Sequence, residues 1–330
     1  MVPVPALLPI ALPTERLNER GRPNPELRAD LRHIPDARNA ATVASVHAEY
    51  LAILLVAKRL NHPVVWALAF PLAGRSFSKM AILAHEAAHR LLFSDQATND
   101  FVGKWFLAYP GLVPFDAYRR SHFAHHKDEM GPEEPDTSLY DPYPVSPDSL
   151  RRKLVRDAMG ISGYKNLMPL FGALKSETAR PVARRILGTQ AAIAAAFTLA
   201  GHPLLWLAYW VGPYMTVWRV INRLRAIAEH GGMGRSKDRR ETTHHVEQSR
   251  LARFWVAPFN TGWHLAHHAD MGIPFRNLPR LHDELVASGW VTEDITYPSY
   301  RKLWTTLASG ARRKDKAPPA TSSSYSLDQS

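Results

Sequence analysis

The chain has 330 residues, a formal net charge of +11 at pH 7 and no cysteine. The lack of cysteine excludes disulfide bonds, thiolate metal sites and cysteine nucleophiles, so a bound metal requires His, Asp, Glu or Asn ligands. The basic residues are scattered and no nucleic-acid-binding motif is present, which favours an anionic membrane surface over a nucleic acid as the partner of the positive charge.

The composition divides the chain into three parts. Residues 1–38 are rich in Pro, Arg and Asn and are predicted to be an irregular N-terminal segment. Residues 39–311 carry the long apolar stretches and are predicted to form one membrane-embedded domain. Residues 312–330 are basic and then rich in Pro and Ser, which predicts a disordered tail.

The apolar stretches predict two helical hairpins. The first runs from about Ala41 to Ala84 and turns at the Asn-His-Pro step 61–63, although charged residues interrupt it, and a buried helix pair is the alternative interpretation. The second runs from Ile186 to Trp218, contains no Lys, Arg, Asp or Glu, and turns at the Gly-His-Pro step 201–203. Because a spanning helix needs about 17–25 mainly apolar residues, we expect an all-α, integral membrane bundle of about four transmembrane helices.

A hairpin returns to the side of the membrane that it left, so the segments around the two hairpins share one face. Nine basic residues lie between Arg151 and Arg185, and an excess of Lys and Arg marks the cytoplasmic side. The sequence therefore predicts a multi-pass protein with a helical cap on the cytoplasmic face. Lys58 and Arg59 beside the first turn are expected to snorkel to the opposite interface. The apolar segment 101–115 is too short to cross and return and is predicted to lie in the interface.

Eight of the 16 histidines fall into three short clusters, which read H-E-A-A-H, H-F-A-H-H and H-L-A-H-H: His85, His89, His122, His125, His126, His264, His267 and His268. On a helix, residues i, i+3 and i+4 lie on one face about 5–6 Å apart, so each cluster directs two or three imidazoles to a common point. Neutral imidazole suits Zn, Fe, Cu and Ni, and eight imidazoles exceed what one ion can use, which implies two metals. His230, just after the second hairpin, is a candidate ninth ligand.

These features resemble the membrane fatty-acid desaturase family, which includes acyl-lipid desaturases, related hydroxylases and carotenoid oxygenases. The resemblance covers about Ala41 to Leu307 and rests on the three clusters, their order around two hydrophobic hairpins, and the Glu229-His230 step before the last cluster. The stretch from Pro258 to His268, with its sequel to His282, is similar to the family's final histidine box.

The resemblance implies a non-haem centre of two iron ions, bound by the eight clustered histidines with His230 completing the set. It also implies O2 as co-substrate, a lipid acyl chain as substrate, and a separate electron donor such as a ferredoxin or a cytochrome b5-type protein. It favours an oxidoreductase that introduces a C=C double bond, with a hydroxylase or a carotenoid ketolase of the same superfamily as the alternative. No catalytic residue is predicted outside the metal cage, and Glu86 is expected to hydrogen-bond a ligating imidazole.

Two functions from other classes remain open at this stage. The stretch His85-Glu86-x-x-His89 also matches the zinc metalloprotease pattern with Glu86 as general base, but an intramembrane protease of this kind leaves six clustered histidines without a role. A metal transporter is the second alternative. Transporters place ionisable residues within their spans, whereas the clusters flank the predicted spans.

Several further residues carry expectations. Ala226 stands where some family members have Asn, and Asn260 is a candidate oxygen ligand or, more simply, a turn residue. The pair His244-His245 and the acidic segment 128–141 are predicted to be solvated surface loops, the latter with a lid or donor-docking role as alternative. Interfacial anchoring or phosphate binding is expected of Arg119, Arg120, Arg223 and Arg225. Packing within the bundle or a place at the membrane interface is expected of Trp206, Tyr209, Trp210, Tyr214 and Trp218, with lining of an acyl channel as the alternative.

Overall fold

The computed structural model describes residues 8, 10–140 and 142–310, so the predicted disordered tail lies outside the described residues. The described chain is mostly helical, as predicted. Its α-helices are α1 Pro25–Leu31, α2 Asp36–Leu60, α3 Pro63–Ala88, α4 Gln96–Val102, α5 Phe115–Lys127, α6 Thr137–Tyr140, α7 Pro147–Ala158, α8 Ile161–Gly172, α9 Arg180–Leu199, α10 Pro203–Leu205, α11 Gly212–Met215, α12 Val217–His230, α13 Arg250–Trp255, α14 His264–Ala269, α15 Leu278–Ala287 and α16 Tyr300–Leu307. Helix α1 lies within the N-terminal segment that was predicted to be irregular.

The remaining regular structure is short. Two π-helical turns span Gly103–Ala108 and Trp206–Val211, and 3₁₀ turns span Ala173–Lys175, Arg239–Glu241 and Glu293–Ile295. Two strands, β1 His245–Val246 and β2 Thr296–Tyr297, pair in parallel, with residue 245 opposite 296 and residue 246 opposite 297. This ladder joins two distant parts of the chain in the cap.

The first predicted hairpin is formed by α2 and α3. Asn61 ends α2 in the left-handed region (φ 43°), and its N–H bonds to the Ala57 carbonyl. His62 then caps α3, because its Nδ1 accepts the N–H of Val64, and Pro63 takes the first helical position, where no N–H donor is needed. The predicted turn at 61–63 is therefore correct.

The second predicted hairpin turns where expected, but its returning arm is not one helix. Helix α9 ends at Leu199, and Gly201 adopts a left-handed conformation (φ 79°) before Pro203 begins the return. The returning arm is divided into α10, the second π turn, α11 and α12. Pro213 lies at the start of α11 and cannot donate a backbone hydrogen bond to the preceding turn, which accounts for the irregular winding there.

The two hairpins pack against each other along their length, with both turns at the same end. Lys58 Nζ donates to Nε2 of His202, 2.6 Å away, so each turn contacts the other hairpin. Deeper in the bundle, Tyr50 and Phe77 contact the indole of Trp210, with ring centroids 5.1 and 4.8 Å apart. Trp210, Tyr214 and Trp218 are buried. The predicted packing role of these three aromatic residues is confirmed.

The membrane prediction is met only in part. Among the described residues, α2 is the one helix that is both long and apolar enough to cross a bilayer, so the bundle of four spans is not confirmed. The second hairpin, predicted to be the clearest span, falls short because α9 begins in a basic segment and the returning arm is broken. Large apolar side chains are nevertheless exposed near both turns: Leu51, Leu55, Val56, Leu60, Val64, Leu68, Leu199, Leu204 and Leu207.

Helix α8 crosses the bundle at Gly163, where the backbones are in close contact. A Cβ atom on Gly163 would lie 2.8 Å from the Cα of Met215 and would overlap its carbonyl. We therefore expect Gly163→Ala to lower the free energy of unfolding by about 1–3 kcal/mol through overpacking. Gly188→Ala is the matched control, because a Cβ atom added to this helical glycine would meet no atom within 4 Å. Equal thermal unfolding midpoints of the two detergent-purified variants would contradict the tight crossing.

Candidate metal centre

The three histidine clusters lie at the end of the bundle opposite the two turns. His85 occupies the last turn of α3 and His89 is its C-cap. The second cluster lies on α5, and the third forms α14. His230 is the last residue of α12. Eight of the nine side chains are buried, and His85 is partly buried. The hairpins, α5 and α14 therefore bring all nine predicted residues to one place.

Five of the imidazoles form one group, the five-histidine set: His85, His89, His122, His126 and His267. Their candidate ligand atoms all lie within 4.8 Å of one another. The closest Nε2–Nε2 separations are 2.8 Å between His89 and His122, and 3.1 Å from His126 to both His122 and His267. Each of the three clusters contributes to this set.

The other four imidazoles form the four-histidine set: His125, His230, His264 and His268. Ligand atoms of His125, His230 and His268 lie within 4.8 Å of one another. His264 joins them, because its Nε2 is 3.1 Å from that of His230 and 3.0 Å from that of His268. The predicted ninth residue, His230, is therefore within the cage.

The donor atoms fit metal ions. Ring nitrogens that bind one ion at about 2.0–2.2 Å stand roughly 3 Å apart, which matches the observed Nε2 separations. Burial lowers the pKa of His122, His126 and His267 well below its ordinary value, and the neighbouring imidazoles lower it further. Neutral imidazoles whose lone pairs face one another at this distance repel unless a cation lies between them. The two sets can hold one metal each.

Two carboxylates orient imidazoles of the four-histidine set. Nδ1 of His125 donates to Glu134, and Nδ1 of His268 donates to Glu129. Burial opposes the charged form of Glu134, but hydrogen bonds led by the one from His125 hold its pKa below the usual value. With Nδ1–H given to a carboxylate, Nε2 is left as the lone-pair donor toward the cage. His230 is oriented in the same way by the Thr242 carbonyl, 2.8 Å from its Nδ1.

The acidic segment after the second cluster is therefore not the solvated loop that was predicted. The side chains of Glu129 and Glu134 are fully buried. Arg239 fixes the first of these, with its guanidinium 2.7 Å from Glu129 and 2.7 Å from the His126 carbonyl. Sequence reasoning missed both carboxylates because most acidic residues after a helix are exposed. Glu129 contacts His268 and Thr242, more than a hundred positions away, so the local spacing carries no signal for its role.

Two of the four arginines predicted to anchor the protein at the interface or to bind phosphate hold helices together. Arg119, on α5, donates to the carbonyls of Ala87 and Ala88 at the end of α3, both at 3.0 Å, and pairs with Asp100. It thereby fixes the first histidine cluster to the second. Arg223 pairs with the buried Asp157 of α7. Both guanidinium groups therefore have partners within the fold.

Glu86 and Asn260 connect the cage to the segment after the third cluster. Glu86, expected to hydrogen-bond an imidazole, accepts instead the backbone N–H of Phe275 at 2.9 Å. Asn260 adopts a left-handed conformation (φ 61°) and donates its amide to the Phe275 carbonyl. The turn role of Asn260 is confirmed, and both residues fix the chain beyond α14 against the bundle.

The pair His244-His245 is buried in the cap, so its predicted place on a surface loop is wrong. His244 Nε2 contacts the Gly231 carbonyl at 2.9 Å, next to His230. His245 belongs to β1 and stacks on His282 with ring centroids 4.7 Å apart. The segment that contains His245 is buried because it pairs in parallel with β2. A ladder of two residues is too short to give a periodic pattern in the sequence.

His245 is expected to make the fold less stable in mild acid. Burial and then the charge of His282 lower the pKa of His245 to about 3, so the unfolded chain takes up a proton before the folded one. Stability is therefore lost as pH falls from about 6.5 toward 3, by up to roughly 1.4 kcal/mol per pH unit from this group. We expect His245→Phe, which can keep the stack, to lose less thermal stability than the wild type between pH 8 and pH 5. The exposed His33→Phe serves as control, and identical losses in all three proteins would contradict this assignment.

The metalloprotease alternative does not fit the geometry. His85 and His89 share their site with three further imidazoles, whereas a catalytic zinc takes three protein ligands and keeps one open position. Glu86, its general base in that interpretation, is bound to a backbone amide.

Two helical hairpins, together with α5 and α14, bring nine imidazoles into two adjacent sets. This arrangement defines a histidine-box metalloprotein. The chain belongs to the fatty acid desaturase family, whose sequence model matches residues 61–301, more than half of the chain. All nine histidines of the two sets fall within the matched region.

A curated relative agrees with this assignment. Dihydrorhizobitoxine desaturase from Bradyrhizobium elkanii is 27% identical to this chain over 238 residues, which cover 64% of this chain and 65% of that protein. The chain thus matches just under two thirds of the relative's length.

Proposed function

We propose that this protein is a membrane-embedded, O2-dependent desaturase that carries two iron ions and introduces a C=C double bond into a lipid acyl chain. The convergence of nine imidazoles into a set of five and a set of four carries this proposal. Membership of the fatty acid desaturase family and a relative named as a desaturase support the reaction type.

The donor set suits the chemistry. Two irons bound in the cage would supply O2-dependent removal of hydrogen from an unactivated carbon. Desaturation of CH2–CH2 to CH=CH consumes one O2, two electrons and two protons and yields two waters, so an external electron donor is required. A ferredoxin or a cytochrome b5-type protein is the proposed donor. An all-imidazole cage without thiolates offers no sulfur for the oxidant to attack.

The chain's own residues hold and shield this site. Glu129 and Glu134 keep Nδ1 of two imidazoles protonated, so that Nε2 points to the metal position. Leu265, Ala266 and Ala269, which share α14 with the third cluster, are buried with it, and this burial limits the access of water. A substrate chain of hydrocarbon would approach from the bundle side, where apolar residues surround α3.

The proposed membrane arrangement follows from the hairpins. With 25 residues and about 1.5 Å rise each, α2 is roughly 37 Å long, enough for a hydrocarbon layer of about 30 Å. The exposed leucines near the two turns lie at the end opposite the histidines. We propose that both hairpins enter the bilayer from one side and that the metal cage lies on the cytoplasmic face.

Lipid profiling of an aerobic host that expresses the protein tests the proposed reaction. We expect new acyl chains lacking two hydrogens, which disappear in the His125→Ala variant. Hydroxylated or ketolated products that depend on His125 would instead assign the protein to the other reactions of this metal centre. An unchanged lipid profile in the presence of a competent donor would contradict an acyl-lipid substrate. The extracts should then be searched for smaller desaturated molecules, since the relative is named for dihydrorhizobitoxine.

A further inference from the structure

Helices α7 and α8 expose a face that the proposed metal chemistry does not use. Their inner side is fixed to the bundle, because Asp157 of α7 pairs with Arg223 of α12 and Gly163 of α8 contacts the backbone of Met215. The outer side of α8 presents four large apolar residues that are 37–57% exposed: Ile161, Tyr164, Met168 and Phe171. Their spacing of i, i+3, i+7 and i+10 places them on one face of the helix.

Positive charge surrounds this apolar face. Exposed basic residues are Arg151, Arg152 and Arg156 on α7 and Lys165 on α8. Asp157 is the one acidic residue between 151 and 172, and it is buried against Arg223. Val155 and Met159 are exposed among the arginines, at 51% and 71%. We name the outer side of α7 and α8, from Arg151 to Phe171, the basic amphipathic face.

The combination of exposed apolar residues with basic residues is typical of helices that lie in a membrane interface. A second copy of the chain would bring these cations against one another across a symmetric contact, which is unfavourable. The position of α8 in the chain also favours a membrane as the partner of this face. Helix α9 begins eight residues after α8 ends, and it is the first arm of the second hairpin.

We propose that the basic amphipathic face lies in the headgroup layer of a membrane leaflet and binds anionic lipids, whose phosphates contact the arginines while α8 inserts its apolar residues. This inference rests on the membrane arrangement proposed above. If the proposal is correct, α7 and α8 are bound to the leaflet that faces the metal cage. The ion pair between Asp157 and Arg223 then connects that leaflet to α12, which ends at His230. Anionic lipid would then stabilise the approach of α12 to the cage.

Fluorescence quenching by lipid-attached nitroxides tests this proposal. Because the chain has no cysteine, Met168→Cys provides a single thiol for a fluorescent label. The labelled full-length protein would be placed in nanodiscs of phosphatidylcholine, with and without phosphatidylglycerol. We expect quenching at residue 168 to be several-fold greater than at Val286→Cys, an exposed apolar position on α15. The quenching should increase with phosphatidylglycerol and fall by about half when Arg152 and Arg156 are both changed to Glu.

Leu51→Cys, on the exposed side of α2, separates this proposal from the membrane arrangement itself. Quenching at residue 51 but not at residue 168 would overturn the basic amphipathic face alone and would indicate another occupant, such as an acidic protein. Quenching at residue 168 that is the same with and without phosphatidylglycerol, and the same in the charge-reversed variant, would overturn the requirement for anionic lipid. Absence of quenching at residue 51 would overturn the membrane arrangement on which the inference rests.

Discussion

Replacing His267 with alanine should remove the metal from the five-histidine set and abolish activity. Its Nε2 lies 3.1 Å from that of His126, and the ring belongs to the third cluster while the other four members come from the first two. The substitution therefore removes the one imidazole that the third cluster contributes to the five-histidine set. Elemental analysis of the purified variant should show a clear loss of iron per chain, while its helical content remains close to that of the wild type.

His33→Ala is the control for this substitution, since His33 is exposed and lies outside both sets. We expect it to retain wild-type metal content and activity. A His267→Ala protein that keeps its full metal content would show that the convergence of nine imidazoles does not correspond to the metal site.

The second large effect is expected from the two buried carboxylates. Glu129→Gln and Glu134→Gln keep the size of the side chain but remove the negative charge that His268 and His125 contact. Residues that orient a ligating imidazole typically contribute 10–100-fold to metal affinity. We therefore expect each variant to lose about one metal ion per chain to a chelator at a concentration that leaves the wild type loaded.

Glu133→Gln provides a matched control next to Glu134, because the side chain of Glu133 is exposed. It removes the same charge from the same segment without touching an imidazole. If all three variants retain metal as the wild type does, Glu129 and Glu134 contribute only to packing. If Glu129→Gln and Glu134→Gln lose metal equally from both sets, the two carboxylates stabilise the whole cage rather than the four-histidine set.

The parts of the site that could be predicted depend on local geometry. The i, i+3, i+4 spacing of each histidine cluster fixes which imidazoles share a face, and α5 and α14 follow that rule. The hairpin turns were predictable for the same reason, since Asn61 and Gly201 supply the left-handed conformation that ends a helix before a proline.

What could not be predicted depends on how distant segments cross. The division into five and four imidazoles separates neighbours in sequence: His125 and His126 belong to different sets, as do His267 and His268. Adjacent residues on a helix point about 100° apart, but the set that each one joins is decided by the facing helix. The buried positions of Glu129, His244 and His245 likewise result from contacts with residues more than a hundred positions away or with a two-residue strand pair.

The membrane spans differ from the prediction for another reason. Absence of charge between 186 and 218 predicts two continuous helices, but Gly212 and Pro213 interrupt the returning arm. Helix α2, the weaker candidate by sequence, is apolar enough to span because Glu49 is its only charged residue between Arg38 and Lys58. That carboxylate is partly exposed and pairs with the buried Arg75 and Lys79 of α3, which offsets its cost in an apolar environment.

The metal content of the detergent-purified protein, counted per chain by elemental analysis, tests the central claim most directly. We expect about two iron ions per chain in the wild type, and a clear loss of iron when His125 or His267 is changed to alanine. A single zinc ion that is retained in both of those variants, and lost only in His85→Ala, would contradict the di-iron centre and return the protein to the metalloprotease class.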